Sequence, residues 1–148
     1  MTDSGIIEAG LHRIRMRVYY EDTDASGIVY HAAYLAFAER ARTEMLRCLG
    51  LDHSTLRARF GVVFTVRRCA IDYRAPARLD DLLEVETRLV RVRGASLELE
   101  QRVLCPGRLL AALELRLALL DGDLRVARVP RTLVDALGRL CAPGISDV

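Results

Sequence analysis

The groups in this chain best equipped for chemistry are crowded into thirteen residues, Tyr19-Tyr20-Glu21-Asp22-Thr23-Asp24-Ala25-Ser26-Gly27-Ile28-Val29-Tyr30-His31. Three carboxylates fall within four positions, followed by a glycine, an aromatic ring and a histidine that enters a segment of helical period. A helix start offers unpaired N–H groups and a positive dipole end, which can bind an oxyanion or polarise a carbonyl. A carboxylate held just ahead of it can serve as general base or nucleophile. Together these are the parts that acyl transfer to water requires. The same residues also admit a second reading, because acidic side chains before a helix often cap it and stabilise it by about 1 kcal/mol each. Asp24 stands too far ahead for a simple cap, since Gly27 to Tyr30 intervene.

The flanking elements must position this stretch. From His12 to Tyr20 the apolar residues Ile14, Met16 and Val18 alternate with Arg13, Arg15 and Arg17, the period of a half-buried strand. From about His31 the period becomes helical, with Tyr34, Ala38, Ala41, Met45 and Leu49 on one side and Leu35, Phe37 and Leu46 widening it; Gly50 sits where a C′ glycine ends a helix. Four strands are expected next, over Phe60–Tyr73, Asp81–Arg93, Ser96–Cys105 and Leu109–Leu120, with turns at Gly94, Pro106-Gly107 and Asp121-Gly122-Asp123. The last turn precedes a short extension through Val126, and Pro130 starts a terminal helix over Arg131–Leu140. Met1–Gly10 carries no periodic pattern, and Gly144–Val148 reads as a tail. One long apolar helix and a run of hairpin-linked strands give an α+β domain, an antiparallel five-stranded sheet wrapped around a central helix, the hotdog fold. A single domain is expected over 1–148 with its core at about 12–140. Such a sheet has edges to manage, so a homo-oligomer is expected.

Composition narrows the function classes. The 148 residues carry a net charge of +2, which gives no electrostatic case for nucleic acid. All 22 basic residues are arginine, a pattern of base-composition bias or of phosphate recognition by forked donors. Cys48, Cys69, Cys105 and Cys141 form no CxxC pair and read as reduced thiols. No apolar run suits an export signal or a membrane span, so a cytoplasmic protein without membrane insertion is expected.

Several stretches resemble the YbgC-like branch of the 4-hydroxybenzoyl-CoA thioesterase family. Asp22-Thr23-Asp24-Ala25-Ser26-Gly27-Ile28-Val29-Tyr30 fits the D-x-D-x-x-G-I/V-V-Y/W motif of that branch. Glu39 to Arg47, Tyr73 to Asp81, Arg93 to Leu97 and Pro130-Arg131 are similar to its other segments, and the likeness covers about residues 12 to 140. The resemblance implies an acyl-CoA thioesterase of hotdog fold, assembled as a dimer of dimers, with no metal or redox cofactor. It implies Asp24 as the catalytic carboxylate and the backbone N–H of His31 as the group facing the thioester carbonyl. Tyr30, Gly27 and Asp22 are expected beside the substrate, Asp22 by bonding the loop or supporting Asp24. It also implies acyl-carrier protein as a possible alternative carrier and an association with the Tol-Pal envelope system.

Two departures stand out. Ser26 replaces a frequent glycine, although Gly27 is retained. His31 stands where the hydroxybenzoyl enzyme has tyrosine, which fits the YbgC branch and argues against hydroxybenzoyl-CoA. The His31 side chain could act as acid or base, or only its backbone could matter. Arg67, Arg68, Arg91 and Arg93 are candidates for coenzyme A phosphates or plain solubilising charge, while His12 and His53 read as surface residues and Tyr73 and Phe64 as core. Two rivals remain. A hydroxyacyl dehydratase of the same fold would want a His–Glu pair. A non-catalytic acyl-CoA sensor or envelope-lipid scaffold would keep the fold without the chemistry.

Overall fold

A computed structural model describes residues 3–140. Its sheet is antiparallel and six-stranded, in the order β1-β2-β4-β5-β6-β3. The strands are β1 Ile6–Glu8, β2 Leu11–Arg17, β3 Val63–Tyr73, β4 Leu82–Arg93, β5 Ser96–Cys105 and β6 Arg108–Leu120. Five of these are the strands expected from the alternation. The sixth, β1, falls in the stretch that had looked patternless. It is too short to show a period, and it exists because Ile6, Ile7 and Glu8 find partners in Arg13, His12 and Leu11. Gly5 makes the approach possible, since at its φ of +82° an added Cβ would sit 2.2 Å from the Arg13 carbonyl oxygen.

The long helix α1 spans Ala33–Cys48 and buries Tyr34, Phe37, Ala38, Ala41, Met45 and Leu46, mainly against β2 and β4. It ends at the C-cap Leu49, after which Gly50 takes a φ of +71°. A short turn α2, His53–Thr55, and a wider turn Leu56–Phe60 lead into β3. Helix α3, Arg131–Ala136, continues as a 3-10 turn over Leu137–Leu140, whose Leu137 and Leu140 are buried. The tail expected at Gly144–Val148 lies outside the described residues. Across the outer face, Arg88–Glu100 and Arg116–Glu98 pair neighbouring strands at 2.6 and 3.3 Å. Exposed pairs of this kind contribute little individually.

Beneath α1 runs a polar knot. Gln101, fully buried, donates through Nε2 to the Ala38 carbonyl and to Thr87 Oγ1, both at 2.9 Å. Its Oε1 accepts from Arg42 Nη1 at 2.8 Å. Helix and sheet are thus tied together by bonds among groups shielded from water, where such bonds matter most.

His12 is not a surface residue: its exposure is 0%. It shares a strand face with Ile14, so the alternation itself points it inward. Its Nε2 lies 2.8 Å from the Ser4 carbonyl oxygen, to which Cys48 Sγ also donates at 3.1 Å, while Nδ1 is buried with no partner among the described residues. Burial lowers the imidazole's pKa below its ordinary 6.5, against smaller upward pulls from Ser4 and Glu44. The unfolded chain therefore binds the proton more readily, and stability is lost as pH falls below about 6.5. We expect the unfolding free energy from urea titrations to drop between pH 7 and 5.5 at a slope of up to about 1.4 kcal/mol per pH unit from this residue. His12→Phe should flatten that dependence, and an unchanged slope would remove His12 as its source.

Candidate active site

Asp24 sits at the tip of a small hairpin. Thr23 bridges Val29, the Asp24 N–H donates to the Ile28 carbonyl at 2.9 Å, and the Gly27 N–H returns to the Asp24 carbonyl at 3.0 Å. Gly27 has a φ of +79° with open space around its missing Cβ, so its requirement is the backbone turn itself. The Ser26 N–H donates to Asp24 Oδ1 at 2.8 Å, an Asx turn. Ser26 in place of glycine is therefore accommodated, and Asp24 does not cap α1. Its carboxylate is exposed, and Oδ2 has no partner among the described residues.

Asp22 closes the base of the hairpin. It is buried, its Oδ2 accepts from the Tyr19 N–H at 2.8 Å, and its carbonyl accepts from the Tyr30 N–H at 2.8 Å. It supports the loop rather than the Asp24 carboxylate. The hairpin is docked by the segment after β3: the Val29 N–H donates to the Ala77 carbonyl at 2.9 Å, and Ile28 bridges Arg78. The Ala77 N–H in turn donates to the buried Tyr34 hydroxyl at 3.1 Å, a phenol whose pKa burial pushes up.

The helix begins later than its period suggests. α1 starts at Ala33 with Ala32 as N-cap and no side-chain cap. His31 and Ala32 form the turn before it, and among the described residues neither of their N–H groups makes a hydrogen bond. These open donors at the positive end of a 16-residue helix are suited to an oxygen that gains negative charge.

Around them gathers a set of rings. His31 lies 4.5 Å from Tyr30 and 6.4 Å from Tyr73, and Tyr73 lies 5.5 Å from Tyr34, all measured between centroids. The Tyr73 hydroxyl donates to the His31 carbonyl at 2.8 Å, fixing the turn that carries the open donors. Tyr73 is thus a site residue that the sequence pattern assigned to the core. Its place at the strand end, beside the Arg74-Ala75-Pro76 break, was the available signal. The His31 imidazole makes no hydrogen bond to Asp24 among the described residues. His53 is exposed, as expected, and stands apart from this cluster at the far end of α1.

A basic groove lies elsewhere. Arg91, Arg93, Arg128 and Arg131 line a cleft of about 750 Å³ beside Gly94 and Val129. Arg91 approaches Glu98 at 3.8 Å, and the other three have no ion pair among the described residues. The groove is at the Arg93 end of β4, whereas the hairpin docks beyond its Leu82 end, roughly 36 Å away at 3.3 Å per residue. Among the described residues no cluster of three or more His, Cys, Asp or Glu could hold a metal ion. No helix among them is long and apolar enough to cross a membrane.

The chain is similar to known thioesterases. The profile of the thioesterase superfamily matches residues 26–112, beginning just after Asp24. An acyl-CoA thioester hydrolase, YbgC, of Escherichia coli O6:H1 is 55% identical over 93 residues, 63% of this chain and 69% of that protein. An acyl-CoA thioesterase, YbgC, of Haemophilus influenzae is 44% identical over 126 residues, 84% of this chain and 93% of that protein. The crystal structure of a probable thioesterase from Bartonella henselae superposes with a TM-score of 0.77 at 38% identity, covering 81% of this chain and 99% of that one.

Proposed function

The chain belongs to the thioesterase superfamily, and from that membership we propose that it is a single-domain enzyme hydrolysing acyl-coenzyme A to the free acid and coenzyme A. One observation carries the reading. An exposed carboxylate, Asp24, tips a hairpin whose other strand runs directly into the open N–H groups of His31 and Ala32.

The thioester carbonyl rests on the His31 N–H, which stabilises the negative charge its oxygen gains as the carbon becomes tetrahedral. Asp24 either removes a proton from the attacking water or adds to the carbonyl carbon itself to give a mixed anhydride that water then opens. The C–S bond breaks and the thiolate departs; a thiolate leaves readily, so no strong leaving-group acid is required. Gly27 keeps the turn, Asp22 holds the hairpin shut, and Tyr30 flanks the acyl group.

Tyr73→Phe tests the positioning of the donors. Losing the bond to the His31 carbonyl should cost about 1 kcal/mol of transition-state alignment, a fall in kcat of roughly fivefold with KM little changed. A change in KM alone would make Tyr73 a binding group instead.

Assembly as a homo-oligomer, a dimer of dimers, is part of the proposal. Among the described residues β3 ends the sheet with one backbone edge unpaired, which a second copy can extend. The length of β4 separates Arg91 and Arg93 from Asp24 within one copy, and in the proposed assembly they serve a coenzyme A bound at another copy's Asp24. A cytoplasmic location is proposed from cysteines that read as reduced thiols, while acyl-carrier protein as a second carrier and association with the Tol-Pal system rest on the resemblance alone.

Crotonyl-CoA tests the reading against its nearest rival. A thioesterase releases free thiol and crotonic acid from it; a dehydratase running in reverse adds water across the double bond and releases no thiol. Hydration without thiol release would overturn the proposal.

A further inference from the structure

The Asp24 hairpin and the start of α1 are joined along the chain by His31 and Ala32, a turn without a side-chain cap. A second connection spans the same turn through space, and it runs through Ala77. Pro76 has no N–H to offer a strand, and Ala77 follows it outside any strand. Ala77 is fully buried, so its peptide groups need partners there. Its carbonyl accepts from the Val29 N–H of the hairpin at 2.9 Å. Its N–H donates to the hydroxyl of Tyr34, in the first turn of α1, at 3.1 Å. The segment that carries Ala77 is anchored on both sides. Arg74 and Ala75 donate to the Leu110 carbonyl at 2.8 and 3.2 Å, and Val18 donates to the Asp81 carbonyl at 2.9 Å.

We propose, resting on the thioesterase reading, that Tyr34 is a positioning residue whose hydroxyl, through the Ala77 peptide, sets the spacing between the Asp24 carboxylate and the open donors of His31 and Ala32. Helical period places Tyr34 in the core with Phe37, Ala38 and Ala41, and a ring that only fills the core needs no oxygen. Here the oxygen closes a circuit: hairpin to Ala77, Ala77 to Tyr34, and Tyr34 back along the helix to the uncapped turn. A closed circuit resists any swing of the hairpin relative to the helix start. The same ring stands edge-on to Tyr73 at 5.5 Å and 77°, and the Tyr73 hydroxyl holds the His31 carbonyl. One side chain therefore touches both the segment that docks the carboxylate and the residue that fixes the donors. Val29, Tyr34 and Ala77 are all buried within one copy, so the circuit is complete without a partner subunit. Catalytic spacing is demanding, since a misplacement of about 1 Å can cost up to roughly 100-fold in rate.

The test is thiol release from acyl-CoA by the wild type, Tyr34→Phe, Asp24→Asn and the double variant, all as the full chain. Tyr34→Phe keeps the ring against Tyr73 and deletes only the oxygen that Ala77 bonds. Its kcat should fall by roughly fivefold or more with KM within about twofold of the wild type. Added to Asp24→Asn, the same change should lower kcat by less than about twofold, because groups that act as one unit are not additive. A merely structural role would lower kcat alike in both backgrounds. A Tyr34→Phe kcat within about twofold of wild type, a change confined to KM, or the full loss repeated on Asp24→Asn overturns the inference. Absence of thiol release from the wild type, or equal turnover by wild type and Asp24→Asn, fails the thioesterase reading or the role of Asp24 instead. Amide hydrogen exchange then decides this one. In Tyr34→Phe the Val29 and Ala77 amides should exchange roughly fivefold faster or more while those of β5 keep their rates, and unchanged Val29 exchange overturns the coupling. Should that variant not fold, exchange in the wild type serves. Val29 and Ala77 protection within about tenfold of each other upholds a single unit, and a wider gap overturns it.

Discussion

Asp24→Asn is expected to lower kcat by at least about 100-fold, roughly 2.7 kcal/mol of lost transition-state stabilisation. The substitution is clean because the asparagine oxygen can still accept from the Ser26 N–H, the bond that shapes the turn. Only charge and basicity are lost, so the melting temperature should stay within about 3 °C of the wild type. Asp22→Ala is the contrast. It removes the acceptor of the part-buried Tyr19 N–H bond at the base of the hairpin, so its first effect is a stability loss of about 1 kcal/mol. Asp24→Asn activity within about threefold of wild type would remove Asp24 from the mechanism, since a lost base or nucleophile costs far more. If the residue matters, a single turnover in oxygen-18 water separates its two possible roles. Label recovered in the Asp24 side chain supports the anhydride, and label confined to the released acid supports the general base.

Gln101→Leu is expected to destabilise the fold by about 3 kcal/mol, a fall of roughly 6–12 °C in melting temperature. The leucine fits the volume but accepts nothing from Arg42, whose guanidinium burial already disfavours, as its lowered pKa reflects. It also abandons Thr87 Oγ1 and the Ala38 carbonyl. The penalty comes from stranding a partly buried charge, which costs more than the bond was worth. The double variant Arg42→Met with Gln101→Leu removes charge and acceptor together. It should recover more than half of the loss, as coupled partners do. Thermal unfolding of the three variants checks both statements, and additive losses would show that the pair is not coupled.

The architecture was legible where side-chain period could speak for itself. α1 announces its apolar side through Tyr34, Ala38, Ala41 and Met45, and β5 runs over the same residues, Ser96–Cys105, that the alternation marks. What failed to show lacked a period or depended on distance along the chain. β1 is three residues held by pairing and by Gly5. His12 is polar, but strand parity rather than polarity sets its face, which it shares with the buried Ile14 two residues on. In the site, the hairpin around Asp24 could be anticipated from Gly27 and the Asx chemistry of Asp24. The Tyr73 bond to His31 spans 42 residues and the Arg42 bond to Gln101 spans 59, and no local pattern encodes either.

The central claim is thioester hydrolysis dependent on Asp24. Its most direct test is thiol release from a saturating acyl-CoA by wild type and Asp24→Asn side by side, with bound acyl-CoA quantified in both. Turnover in the wild type alone and equal binding in the two are expected. Binding without turnover in either would make the chain an acyl-CoA-binding protein rather than an enzyme, and equal turnover in both would contradict the role given to Asp24.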